Sequence, residues 1–231
     1  MNRSIVLSLA AITCAALSAS VSAQPQEPLR KHPLGFFVTS ATTTGSGALG
    51  GLAGADRICQ ELAAKVGAGA RTWRAYLSIP SLGGEPAVNA RDRIGAGPWY
   101  NAANVLIAAS VEDLHGDALP DSNNVQKMTV LMESGVRNPG FEDKVSTHDI
   151  LTGSDRRGRA LPFSMDASCN GWTDGTDNHK AMLGHADRTG GGGISWNSAH
   201  RSLGCSATGG AGKLYCFAAD NLTLPPALKD R

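Results

Sequence analysis

Gly54-Ala55-Asp56-Arg57-Ile58-Cys59-Gln60, followed by Trp73-Arg74-Ala75-Tyr76-Leu77-Ser78, opens as a helix and closes as a strand. Ile58, Leu62 and Val66 recur at i, i+4 and i+8, with Cys59 and Ala63 beside them, the spacing of one buried helical face. A helix is therefore expected over residues 55–66, with Asp56 at its positive N-terminal end and Gly67 at its exit. Residues 72–78 alternate: Trp73, Ala75 and Leu77 share one face, Arg74 and Tyr76 the other. That pattern predicts a half-buried strand. Cys59 sits on the edge of the helix's apolar face, so a bond from it would staple the helix to another part of the core.

Working outward, the N-terminus explains how such a bond could form. Met1-Asn2-Arg3 is a short positive start, residues 5–17 are apolar with small residues, and Val21-Ser22-Ala23 reads as a cleavage site before Gln24. Residues 1–23 are expected to be a signal peptide, and the product to be periplasmic or secreted. The apolar run is too short for a membrane span, and Ile12-Thr13 before Cys14 lacks the small residue of a lipoprotein site. Four cysteines follow the leader: Cys59, Cys169, Cys205 and Cys216. No two lie two to four positions apart, as structural zinc requires, and exported thiols pair. Four cysteines allow three pairings, and their spacing does not choose among them.

Cleavage after Ala23 removes 23 of the 231 residues and leaves 208, enough for one domain with one core. The whole chain carries 21 Lys+Arg against 20 Asp+Glu, and losing Arg3 makes the balance neutral. Nucleic acid would need a basic field, so no nucleic-acid partner is expected. Residues 24–34 read as a flexible lead-in, 35–220 as the folded domain and 221–231 as a tail. Further strands are expected over 35–40, 103–109 and 213–218, the last with Leu214, Cys216 and Ala218 on one face. Short helices are expected over 110–115 and 124–133. Ile150-Leu151-Thr152 leads into a turn at Gly153-Ser154-Asp155, residues 166–189 are polar, and 190–193 are four glycines.

Several of these segments resemble the endostatin domain: the Gly-Ala-Asp helix with its cysteine, the Ala75-Tyr76-Leu77-Ser78 strand, Gly153-Ser154-Asp155, Gly158-Arg159 and Cys169-Asn170-Gly171-Trp172. Gly204-Cys205 and Leu214-Tyr215-Cys216 stand where that domain's last two cysteines fall. The chain is more similar still to exported bacterial proteins loosely called lectins. It shares with them segments like Ala90-Arg91-Asp92-Arg93-Ile94, His148-Asp149-Ile150-Leu151-Thr152-Gly153-Ser154 and Ser195-Trp196-Asn197-Ser198-Ala199-His200. The resemblance runs over residues 36–219. It implies an α+β, C-type-lectin-like fold: two helices, a small mixed antiparallel sheet where the chain ends meet, and a long loop region. It also implies nested disulfides, Cys59–Cys216 around Cys169–Cys205.

Function transfers less readily. Sugar-binding C-type lectins hold calcium partly through Glu-Pro-Asn or Gln-Pro-Asp and Trp-Asn-Asp. Here the last reads Trp196-Asn197-Ser198 and neither tripeptide occurs, so calcium's carboxylate set is incomplete. Endostatin's zinc histidines lie near its N-terminus, where this chain has only His32. His179, His185, Asp187 and His200 could bind a transition metal, but their spacing fits no tight motif, and no metal or cofactor is expected. Gly45-Ser46-Gly47-Ala48-Leu49-Gly50 has the form G-x-G-x-x-G, but the expected helix starts too late and no acid ends the next strand, so it is read as a loop. Trp172 and Trp196 could stack on a sugar, though beside disulfides they are expected to pack inward.

The expected ligand contacts are Asp155, Asp174, Asn178, His185, Asp187 and Asn197. Arg156, Arg157 and Arg159, with Arg71, Arg74, Arg91 and Arg93, could meet an acidic glycan, or simply form a solvated face. The chain has no H-E-x-x-H and no G-x-S-x-G. The resulting expectation is a non-catalytic module binding a glycan or another extracellular or envelope ligand through loops between Ser164 and Ser206. A structural, protein-binding envelope domain is the alternative, and a polysaccharide-acting enzyme is a third reading.

Overall fold

The computed structural model describes residues 32–41, 46–116, 122–190 and 194–220. The expected signal peptide, most of the lead-in and the C-terminal tail lie outside these residues. Ten elements follow in chain order: β1 (Phe36–Val38), α1 (Gly51–Lys65), β2 (Trp73–Ala75), β3 (Trp99–Tyr100), β4 (Leu106–Ala108), α2 (Val111–His115), β5 (Asp149–Leu151), β6 (Met182–His185), β7 (His200–Arg201) and β8 (Tyr215–Ala218). Helices and small antiparallel sheets are thus combined in one chain, with two disulfides.

β8 is the middle strand of the sheet β1-β8-β2, antiparallel to both neighbours, with Cys216 opposite Phe37 on one side and Ala75 on the other. Its side chains alternate between two cores. Leu214, Cys216 and Ala218 join Phe37, Trp73, Ala75, Leu77 and the face of α1. Tyr215 and Phe217 join Phe36, Val38, Trp99, Ile107 and Trp196 on the opposite side. Each fully buried large side chain contributes about 1.5–3 kcal/mol, so both layers stabilise the sheet. Tyr76 departs from the expected half-buried pattern. It too is buried in the second core, because loops and α2 cover the face that alternation left for solvent.

α1 begins at Gly51, earlier than its periodicity suggested, after Gly50 and Gly51 turn the chain with φ of 77° and 72°. Gly54 then lies under the Leu49 carbonyl, and an added Cβ would come within 1.9 Å of that oxygen. Asp56 does not serve the helix end. It is buried and accepts from the Ala75 amide and from Arg74 and Arg93, which locks α1 onto β2. Gly67 does end the helix, with φ of 80° and its amide on the Ala64 carbonyl.

The disulfides join Cys59 to Cys216 and Cys169 to Cys205, the nested arrangement that the resemblance implied. Where one small sheet was expected there are three, because the strands run only two to four residues: β1-β8-β2, β3-β4 and β5-β6-β7. A parallel bridge between Leu151 and Leu214 sets the third sheet against the first. Residues 124–133 form no helix. Thr129 Oγ1 donates to the Asn124 and Gln126 carbonyls, which competes with helical pairing, and only a single turn results. Leu34, at the end of the expected lead-in, is buried in the first core. Among the described residues no helix is long and apolar enough to cross a membrane.

Candidate functional site

The Cys169–Trp172 segment is one turn of left-handed backbone, with φ of 46°, 52°, 68° and 67°. Each non-glycine residue held this way costs about 1–2 kcal/mol. Three anchors over-determine it. Cys169 is bonded to Cys205, the Trp172 indole donates to the Ser78 carbonyl at 3.0 Å, and the Ser168 carbonyl receives the Trp172 amide at 2.7 Å. Gly47 crosses so close that a Cβ there would meet Cys169 Sγ at 2.3 Å. Backbone strain of this kind collects where a protein presents groups to a ligand. Here it presents Asn170, which is exposed.

Asn170 stands on the rim of a surface cavity of about 320 Å³, whose wall also includes Phe163, Asp166, Asn178 and His179 above Pro80 and Leu82. Phe163 is 62 % exposed, an aromatic ring offered to solvent. His179 is oriented by two carboxylates, with Nδ1 3.0 Å from Asp166 and Nε2 3.8 Å from Asp174. The amide and hydroxyl of Thr176 hold the Asp174 carboxyl below the usual carboxylate range. Asp177 accepts from the Ser206 amide and hydroxyl, which ties the cavity loop to the segment beside Cys205.

The six expected contacts do not converge on one site. Asn178 lines this cavity and Asp174 supports it through His179. Asp155 caps a turn, accepting from the amides of Arg157 and Arg159. Asn197 is 1 % exposed and bolts loops together: its amide nitrogen donates to the Tyr76 hydroxyl and to the carbonyls of Asp155 and Arg156. It also borders a smaller cavity of about 190 Å³ shared with His115, Arg156 and Trp196. His185 and Asp187 are buried beside His148. Burial pushes the Asp187 carboxyl up, but hydrogen bonds from His148 and from the Phe141 and Thr189 amides prevail and hold it low.

Trp172 and Trp196 both pack inward. The arginines scatter: Arg71 pairs with Asp220, Arg74 and Arg93 share Asp56, and Arg91 donates to the Arg157 carbonyl. Sequence reasoning passed over Phe163, Asp166 and Asn170. The Asn170-Gly171 pair was the available signal, since both residues tolerate a left-handed turn. The chain matches no protein-family model, and no curated protein is similar enough to count as a relative.

Proposed function

We propose that the protein is an exported, non-catalytic binding module of C-type-lectin-like architecture that holds carbohydrate in the cavity between Phe163 and His179. The paired chain ends, the nested disulfides and the loop-borne cavity support the architecture. Disulfides form and persist in the periplasm or outside the cell, which supports export. One observation carries the ligand class: an exposed aromatic ring, a carboxylate–imidazole pair and two amides line one cavity, with one of those amides, Asn170, held on a strained, cross-linked turn. The apolar face of a sugar ring would stack on Phe163, while Asn170, Asn178 and Asp166 would take its hydroxyls. Rigid support lowers the ordering cost of binding, which is the use such a braced turn serves.

The test is a glycan array with the wild-type chain and Phe163→Ala. A stacking contribution of about 1.4 kcal/mol corresponds to tenfold in affinity, so Phe163→Ala should lose about tenfold or more on every glycan bound. An array left blank by folded, oxidised protein would reject the reading, as would undiminished binding by Phe163→Ala and Asn170→Ala together.

A further inference from the structure

Three of the six histidines surround one carboxylate, well separated in sequence from one another. Asp149 opens β5 and pairs in register with His185 at the end of β6, while His200 opens β7 on the other side of β6. His148 directly precedes Asp149. The Nε2 atoms of His148, His185 and His200 lie 3.4, 3.3 and 3.6 Å from Asp149 Oδ1. The His148 ring stacks on His185 at 4.4 Å between centroids, and His200 meets His185 edge-on at 4.9 Å.

The other ring nitrogens say what the inward ones carry. His148 Nδ1 is 2.9 Å from Asp187 Oδ1, and a carboxylate only accepts. His200 Nδ1 is 3.0 Å from the Arg201 carbonyl, which also only accepts. Both Nδ1 atoms therefore hold the proton, and in the neutral rings both Nε2 atoms turn lone pairs toward Asp149 Oδ1. That oxygen is buried and takes no hydrogen bond. Electron pairs aimed at a carboxylate oxygen repel unless positive charge lies among them. A single divalent ion would meet the ligand atoms of His148, His185 and Asp149 at once, and Asp187 behind His148 is the carboxylate–histidine support that metal ligands use.

The spacing agrees. Tetrahedral bonds of about 2.0–2.1 Å set ligand atoms about 3.3–3.4 Å apart, and His148, His185 and Asp149 bring their ligand atoms within 4.8 Å of one another. Imidazole nitrogens with one carboxylate suit zinc, copper, nickel or cobalt, whereas calcium and magnesium want oxygen. Glycines make the room. A Cβ on Gly209 would lie 2.3 Å from Asp149 Oδ2, and one on Gly140 2.7 Å from Asp187 Oδ2. A cavity of about 410 Å³ lined by Asp149, His200, Leu203 and Gly209 gives an ion its way in, with the part-exposed His200 at the mouth.

We propose that His148, His185 and Asp149, closed by His200, bind one divalent transition-metal ion of the zinc class. The site shares no residue with the sugar cavity, so either can fail without the other. The test uses the full oxidised chain, prepared without a polyhistidine tag, stripped with chelator and titrated with zinc against a chromophoric competitor. One zinc per chain is expected. His185→Gln should weaken binding by about 100-fold and His200→Gln by about tenfold, with His32→Gln unchanged. X-ray absorption of the wild-type cobalt or zinc form reads the ligands without any variant, and two or three imidazoles are expected. Absence of stoichiometric binding, an all-oxygen shell, or equal loss in His32→Gln would overturn the proposal.

Discussion

Removing the inner disulfide, by Cys169→Ala with Cys205→Ala, should cost less than its loop length implies. Cys169 and Cys205 are 36 residues apart, and closing a loop of that size in the unfolded chain corresponds to about 4 kcal/mol. The outer pair, Cys59 and Cys216, spans 157 residues and corresponds to about 5 kcal/mol. The inner bond, however, also clamps the left-handed turn, where Cys169, Asn170 and Trp172 each hold about 1–2 kcal/mol of backbone strain. Cutting it lets part of that strain relax, so the net loss should fall to about 2–3 kcal/mol, clearly below the loss from the outer pair. Urea unfolding followed by tryptophan fluorescence and far-UV circular dichroism, extrapolated linearly for both double variants, measures the two numbers. An inner-pair loss equal to or above the outer-pair loss would refute the reasoning. The same variant should also lose the glycan binding proposed for the cavity while remaining folded, because Asn170 and the cavity rim depend on the turn.

Asp56→Ala should cost about 3–5 kcal/mol in urea unfolding, because it strands the partly buried Arg93, whereas Arg74→Ala, with its more exposed side chain, should cost under about 1 kcal/mol. Gly54→Ala reverses the usual helix rule: propensity favours alanine by about 1 kcal/mol, but the Leu49 carbonyl lies 1.9 Å from the new Cβ, so thermal unfolding should show destabilisation. Burial lowers the Lys213 pKa, with Glu133 opposing, so the folded chain binds fewer protons there than the unfolded one. Its contribution to stability should therefore grow as pH rises from the lowered value toward 10.5, and Lys213→Met should flatten that rise in chemical denaturation.

Periodicity exposed α1, β2 and β8 because each pairs a continuous apolar face with the core; Ile58 and Leu62, Trp73 and Ala75, Leu214 and Cys216 all pack as spaced. It missed the second core because alternation separates two faces without saying whether loops will cover the other, and Tyr76 was left facing solvent for that reason. β6 was hidden in a polar stretch, since Met182-Leu183-Gly184-His185 is too short to show a period and includes a glycine that sits against the Trp196 carbonyl. Of the expected contacts, Asn178 was legible as a loop amide. His185 and Asp187 were noticed, but their partners His148 and Asp149 lie far off in sequence and arrive only through strand register. Phe163 carried no local pattern at all.

The outer staple also determines how the molecule would respond to tension. β1 lies before Cys59 and is held by backbone pairing to β8 and by the burial of Phe36, Phe37 and Val38, whereas everything from Cys59 to Cys216 is enclosed by a covalent ring. A pull on the two ends would have to draw the buried side chains of β1 out of both cores before the tension reached the sulfur bridge. The segment before Cys59 also includes Gly47 and Leu49, whose amides donate to the Cys205 and Trp172 carbonyls, so the braced turn would feel the load before the bridge tightens. A domain wired this way would lengthen by one short, bounded step and then resist through its covalent ring.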